Sequence, residues 1–225
     1  MSNYDYKQRL KALRENTTII GVVGMSASGK TEFATAVNEK DYPIFTYDVE
    51  SLMDNTDIPA EELNVFSQAR KEQISNFSPL EITTEMINDY SFYKFVKNAM
   101  FDIHMNVISD KIRDTYAAIP SLKQKDFVFV ELPFSTNFKY NDLFDAIITI
   151  QRQETYQEGW WIDHYDTTVL DNQVDKIALL KQDDQMFKEL QLTEVVSLYN
   201  GSDYETYVSN CNDTIDEVVE ILSSK

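Results

Sequence analysis

The sequence predicts a three-layer α/β fold, with helices on both faces of a mainly parallel sheet. Two observations lead there. Short β-branched apolar runs alternate with helical stretches along the 225 residues, the pattern of an α/β layer fold. The glycines are also concentrated. Gly21, Gly24 and Gly29 lie within nine residues, and only Gly159 and Gly201 serve the rest of the chain. A glycine-poor chain that clusters glycine once needs unusual backbone geometry at that point.

Residues 1–16 read as a short polar helix without a strong apolar face. TTIIGVV (17–23) is nearly all apolar, as in a strand covered on both faces. Residues 30–39 read as a helix and PIFTY (43–47) as a second buried strand. From 49 to 119 the pattern is mostly helical, broken near Pro59 and Ser78-Pro79. Between Ser91 and Ile119, Phe95, Ile108 and Ile112 are among the residues at helical spacing. FVFVEL (127–132) is a third strand, stopped by Pro133. AIITI (146–150) and VVSLY (195–199) are the fourth and fifth. Residues 203–222 close the chain as a helix with Ile215, Val218, Val219 and Leu222 on its apolar side. The stretch 152–173 is too polar for a core and too aromatic for a flexible linker. It reads as a flap leading into a helix at 174–190, so that 152–190 resembles a lid. The whole of 1–225 reads as one domain, with 49–119 as a helical insertion.

Charge and composition narrow the function. Twenty basic residues against 38 acidic ones leave a net charge of −18. A field of that sign repels phosphate backbones and anionic lipid surfaces, which argues against nucleic-acid and membrane partners. The single cysteine, Cys211, makes neither an internal disulfide nor a cysteine-based zinc site. The start has no apolar signal-like segment, and no apolar run approaches the roughly 18 residues a membrane span needs. These features together predict a cytoplasmic protein.

The glycine cluster carries the chemistry. Gly24-Met25-Ser26-Ala27-Ser28-Gly29-Lys30-Thr31 satisfies G-x-x-x-x-G-K-[ST], the Walker A pattern. With this chain's residue frequencies a chance match occurs about once in a thousand such sequences. The motif also follows a strand and opens a helix, the context in which the backbone N–H groups and the helix N-terminus cradle phosphates. Lys30 would then bridge the outer phosphates of ATP, and the Thr31 hydroxyl would sit on Mg²⁺. Such a site also uses carboxylates at the carboxyl ends of strands. Asp48, after PIFTY, and Glu131, near the end of FVFVEL, occupy those positions.

Taken in order, several pieces resemble dephospho-coenzyme A kinase and its nucleoside-monophosphate-kinase-like P-loop relatives. They are IIGVVGMSASGKT (19–31), FTYD (45–48), DIHMNVISDKI (102–112), VFVELPF (128–134), LFDAIITI (143–150) and VVSLYNGSDYETY (195–207). The resemblance implies a P-loop NTPase-type fold with a five-stranded parallel sheet, ATP as donor, and a helical substrate-binding region in 49–119. Residue by residue, it implies Asp48 as base on the acceptor hydroxyl, Glu131 near the metal, and His104 in the acceptor pocket. His104 reads equally as a packed helical histidine.

The lid departs from that family. Its pattern after the fourth strand is a glutamine, then an arginine three residues later, then further basic residues over the phosphates. Here Gln157 is followed by Gly159-Trp160-Trp161, and Arg152 is the one arginine of 151–190, beside Lys176, Lys181 and Lys188. Trp160 and Trp161 with Tyr156 and Tyr165 read either as a stacking lid or as an aromatic cluster against the helical region. The functional expectation is a Mg·ATP-dependent kinase for a small-molecule acceptor, dephospho-coenzyme A first. Alternatives are a kinase for a (deoxy)nucleoside monophosphate or modified nucleotide, and a nucleotide-binding regulator that has lost turnover.

Overall fold

The computed structural model describes residues 5–25, 27–46, 86–119, 126–133, 135–152, 170–190, 192, 195–201 and 203–224. Its elements, in chain order, begin with α1 (Tyr6–Arg14), β1 (Thr18–Gly24), α2 (Lys30–Glu39) and β2 (Ile44–Phe45). After these come α3 (Tyr90–Ala118), β3 (Phe127–Glu131), a 3₁₀ turn at Tyr140–Asp142 and β4 (Ala146–Arg152). The chain closes with α4 (Leu170–Lys188), β5 (Val195–Asn200) and α5 (Tyr204–Ser223).

The five strands form one sheet in the order β2-β3-β1-β4-β5, and every pairing is parallel. β1 is central. Its register with β3 sets Val22 opposite Glu131, and with β4 it sets Gly24 opposite Ile150. Both faces are covered, so alternate residues of one strand enter two different cores. Ile19 and Val23 of β1, with Val128, Val130 and Ile147, pack under α1, α3 and α4 through Tyr6, Leu10, Phe92, Ile108 and Met186. Ile20 and Val22, with Phe127, Phe129, Ile148 and Ile150, pack under α2 and α5 through Phe33, Val37, Tyr207, Cys211 and Ile215. This double coverage explains why the strands read as unbroken apolar runs rather than alternating ones.

Helix starts follow local chemistry. Asp89 caps α3, its carboxylate accepting from the N–H of Ser91 at 2.8 Å and of Phe92 at 3.2 Å. Asp203 caps α5 by accepting from Thr206 N–H at 3.0 Å. α2 differs, because glycine stands at its N-cap and no side chain caps its first turn. Those N–H groups are left to face whatever lies beyond the loop.

Several elements differ from the sequence reading. α1 has a real apolar face after all, with Tyr6 and Leu10 buried in the core. Two residues one turn apart are too few to give a clear periodicity. β2 is only two residues long where five were expected, although Tyr47 lies outside the described residues. β4 runs two residues further, to Arg152, and α4 begins four residues earlier than expected. The segment 47–85, with most of the helical insertion, and the flap at 153–169 lie outside the described residues. Among the described residues, no helix is long and apolar enough to cross a membrane.

Polar contacts fix the helices of the α1, α3 and α4 layer. Lys97 pairs with Asp183 at 2.9 Å and Tyr93 also bonds Asp183, joining α3 to α4, while Gln182 of α4 donates to the Ile87 carbonyl just before α3 at 2.9 Å. Asp145 accepts from the buried Ile19 N–H at 2.8 Å and from Arg14 Nε at 2.7 Å. One carboxylate therefore fixes the start of β1 and the end of α1 against β4. Removing it strands a buried donor, which costs about 1–3 kcal/mol. Asp145→Ala is expected to lower unfolding stability by about 2 kcal/mol in urea titrations, and an unchanged midpoint would mean that water replaces the carboxylate.

Candidate nucleotide-binding site

The loop between β1 and α2 turns on two residues with positive φ, Ala27 at 60° and Gly29 at 104°. Ser28 N–H donates to the Met25 carbonyl at 3.3 Å, and Phe33 N–H to the Gly29 carbonyl at 3.1 Å, which starts α2. A side chain at either framing glycine would collide. A Cβ on Gly24 would lie 2.7 Å from Ser28 Oγ and 2.8 Å from the Ile150 carbonyl oxygen. On Gly29 it would lie 2.6 Å from the Tyr207 hydroxyl and 2.7 Å from Asn200 Nδ2, in a conformation that L-residues rarely adopt. The glycines are thus required by close backbone approach and by handedness together.

Lys30, first residue of α2, folds its side chain back over the loop. Its ammonium donates to the Gly24 carbonyl at 2.9 Å and the Met25 carbonyl at 2.7 Å, and lies 3.8 Å from Glu131 Oε1. Glu131 ends β3 and, two residues beyond Phe129, points to the same sheet face as α2. The structure therefore brings Lys30 and Glu131 together from positions a hundred residues apart. Thr31 is exposed in the first turn of α2. Ser26 and Asp48 lie outside the described residues, as do Trp160, Trp161, Tyr156 and Tyr165.

Sequence reasoning missed a third group. The carbonyls of Ala27, Ser28 and Gly29 each accept from a distant side chain: Arg152 Nη1 at 3.1 Å, Asn200 Nδ2 at 3.0 Å and the Tyr207 hydroxyl at 2.9 Å. Arg152 was read as lid, whereas it is the last residue of β4. Asn200 and Tyr207 both lie in the piece 195–207 that carried part of the family resemblance, but neither was singled out there. Burial, with the neighbouring Cys211 next, raises the Tyr207 phenol well above its ordinary range, so it is a neutral donor.

The geometry of the loop fits a polyphosphate. The cradles at Gly24 and Gly29 admit no Cβ, the first turn of α2 has no side-chain cap, and Ser28 Oγ is buried with no partner among the described residues. Among the described residues, no three of His, Cys, Asp and Glu are grouped to hold a metal ion. Mg²⁺ in such sites takes one or two protein oxygens and completes its shell with phosphates and water. Thr31 and Glu131 are oxygen donors of that kind. Beside the loop, a cavity of about 370 Å³ runs under α4, with Met25, Thr149, Gln151, Arg152, Phe187 and Ser197 in its wall.

A five-stranded parallel sheet in this order, with the glycine loop leaving its central strand, decides the architecture. The chain has a P-loop NTPase fold. One solved structure shares the fold over most of its length. The crystal structure of TT1252 from Thermus thermophilus matches with a TM-score of 0.52 at 13% identity, covering 89% of this chain and 96% of that one. A dephospho-CoA kinase from Campylobacter jejuni matches with a TM-score of 0.40 at 18% identity, over 89% and 96%. A thymidylate kinase from Ehrlichia chaffeensis matches with a TM-score of 0.21 at 11% identity, over 91% and 87%. No protein-family model matches the sequence, and no curated protein matches it. The likeness to solved structures extends to the fold alone.

His104 is the one expected pocket residue that the structure buries in the core layer. It is 5% exposed on α3. Burial first, and the Lys97 charge second, hold its imidazole down to about 3. It is neutral at physiological pH. The unfolded chain protonates it near 6.5, so between about 6.5 and 3 only the unfolded state binds that proton. The stabilising contribution is complete above pH 6.5 and is lost as pH falls towards 3. Stability should therefore fall between pH 7.5 and pH 5 by on the order of 2 kcal/mol more in the wild type than in His104→Gln. Equal falls in urea titrations at the two pH values would show that His104 is not held neutral.

Proposed function

We propose that the protein is a Mg·ATP-dependent kinase that phosphorylates a small-molecule acceptor. The observation that carries this reading is the Lys30 ammonium, held over a glycine loop at the start of α2 and 3.8 Å from Glu131. An ordinary strand–helix turn has no need of that arrangement. The backbone N–H groups of 27–31 would hold the phosphates, Lys30 would neutralise charge on the outer ones, and Thr31 with Glu131 would hold Mg²⁺. The metal would supply charge neutralisation for the transferring group. Asp48 would accept the proton of the acceptor hydroxyl as its oxygen bonds the γ-phosphorus and the bond to the bridging oxygen of ADP breaks.

Dephospho-coenzyme A is the acceptor to try first, because the sequence pieces in their order resemble that kinase. A (deoxy)nucleoside monophosphate or modified nucleotide comes second. A nucleotide-binding regulator without turnover is favoured by one observation. The only arginine of the lid-like stretch donates to the Ala27 carbonyl from β4, leaving three lysines there for a clamp on the transferring phosphoryl group.

Lys30→Ala should weaken Mg·ATP binding about 10- to 100-fold by titration calorimetry, the worth of a charge-assisted contact, with an unchanged thermal midpoint. Equal affinities would remove the loop from the site. With an acceptor in hand, Asp48→Asn should cut turnover by about 10²-fold while ATP affinity changes little. If the wild type binds ATP well and phosphorylates no acceptor, the regulator reading replaces the kinase.

A further inference from the structure

We infer that Arg152, Asn200 and Tyr207 form a clamp that sets the phosphate loop in its binding conformation. They would act as positioning residues for the site proposed above, and the inference rests on that reading. Three consecutive loop carbonyls, at Ala27, Ser28 and Gly29, are each held by a side chain from a different element: the end of β4, the end of β5 and the second turn of α5. A trans peptide carries its C=O and the next residue's N–H on opposite edges of one plane, and no peptide among the described residues is cis. Fixing the 28 and 29 carbonyls outward therefore turns the N–H groups of Gly29 and Lys30 away from the clamp. Successive N–H groups turned to one side make an anion-binding nest.

The Gly29 carbonyl is also held by the Phe33 N–H of α2, so the peptide whose orientation rests on the side chains is that between Ser28 and Gly29. Gly29 tolerates a peptide flip better than any other residue type, so glycine permits the tight turn without enforcing it. The tethers supply what glycine lacks. Asn200 and Tyr207 crowd so closely that a Cβ on Gly29 would fall within 2.7 Å of both. Tyr207 is 2% exposed, and its phenol stays protonated, so its hydrogen bond is shielded from water and from pH. The Ser28 hydroxyl, buried without a partner among the described residues, lies within the tethered stretch. The clamp is a second, sequence-distant determinant of phosphate affinity that the loop motif does not contain.

Tyr207→Phe tests this, because it removes only a hydroxyl and keeps the ring in the core. Mg·ATP and inorganic tripolyphosphate with Mg²⁺ serve as probes in titration calorimetry, with Lys30→Ala and Val218→Ala alongside. Val218 is buried on the same helix, three turns beyond Tyr207. The expected result is that Tyr207→Phe weakens both probes by the same factor, about five- to tenfold, with little change in thermal midpoint. Val218→Ala should do the reverse, lowering the midpoint and leaving both affinities alone. Asn200→Ala, at a half-buried position, repeats the measurement should the phenylalanine variant fold poorly. The clamp is overturned if Tyr207→Phe and Asn200→Ala bind both probes within twofold of wild type while Lys30→Ala loses them. A wild type that binds neither probe overturns the proposed function, and the clamp with it.

Discussion

The candidate site depends on one constraint, a left-handed turn at Gly29 that brings the start of α2 directly over the end of β1. A positive φ there costs an L-residue on the order of 1 kcal/mol, and the surrounding atoms leave no space for a side chain. From that turn follow the uncapped first turn of α2, the return of Lys30 across the loop, and its approach to Glu131. The parallel sheet converts this local geometry into a site. Pairing β1 with β3 in the register that sets Val22 opposite Glu131 delivers the carboxylate to the strand end nearest the loop.

Burial on both faces makes the arrangement rigid. β1 has six buried residues in seven, divided between two cores, so the strand cannot slip by one residue without exchanging its two faces. The loop is therefore anchored at its first residue by packing, at its middle by three side-chain hydrogen bonds, and at its last by α2. The three tethers originate in the part of the chain beyond residue 151. Phosphate affinity in this reading is thus a property of the assembled sheet and not of the motif alone.

What the sequence disclosed follows the same physics. Strands covered on both faces are continuous apolar runs, and all five were legible to within three residues at either end. Lys30 and Glu131 were legible because a lysine after glycine and an acid ending an apolar strand each lack an ordinary structural use. The tethers were not, since hydrogen bonds between positions 125 to 178 residues apart leave no periodicity. Arg152 was read as lid because Gln151-Arg152 is polar, while the strand pairing that carries it forward is set by β5. His104, which reads either as a pocket residue or as a packed helical histidine, is buried on α3.

If residues 24–31 bind a nucleoside triphosphate through backbone N–H groups, with Lys30 as their cation, a crystal structure with Mg²⁺ and a non-hydrolysable ATP analogue will show phosphate oxygens against the N–H groups of 27–31. The Lys30 ammonium will have moved from the Gly24 and Met25 carbonyls onto the outer phosphates, and the three outward carbonyls will keep their tethers. An analogue bound elsewhere, or a Lys30 still seated on the two carbonyls beside a bound analogue, would rule this binding mode out.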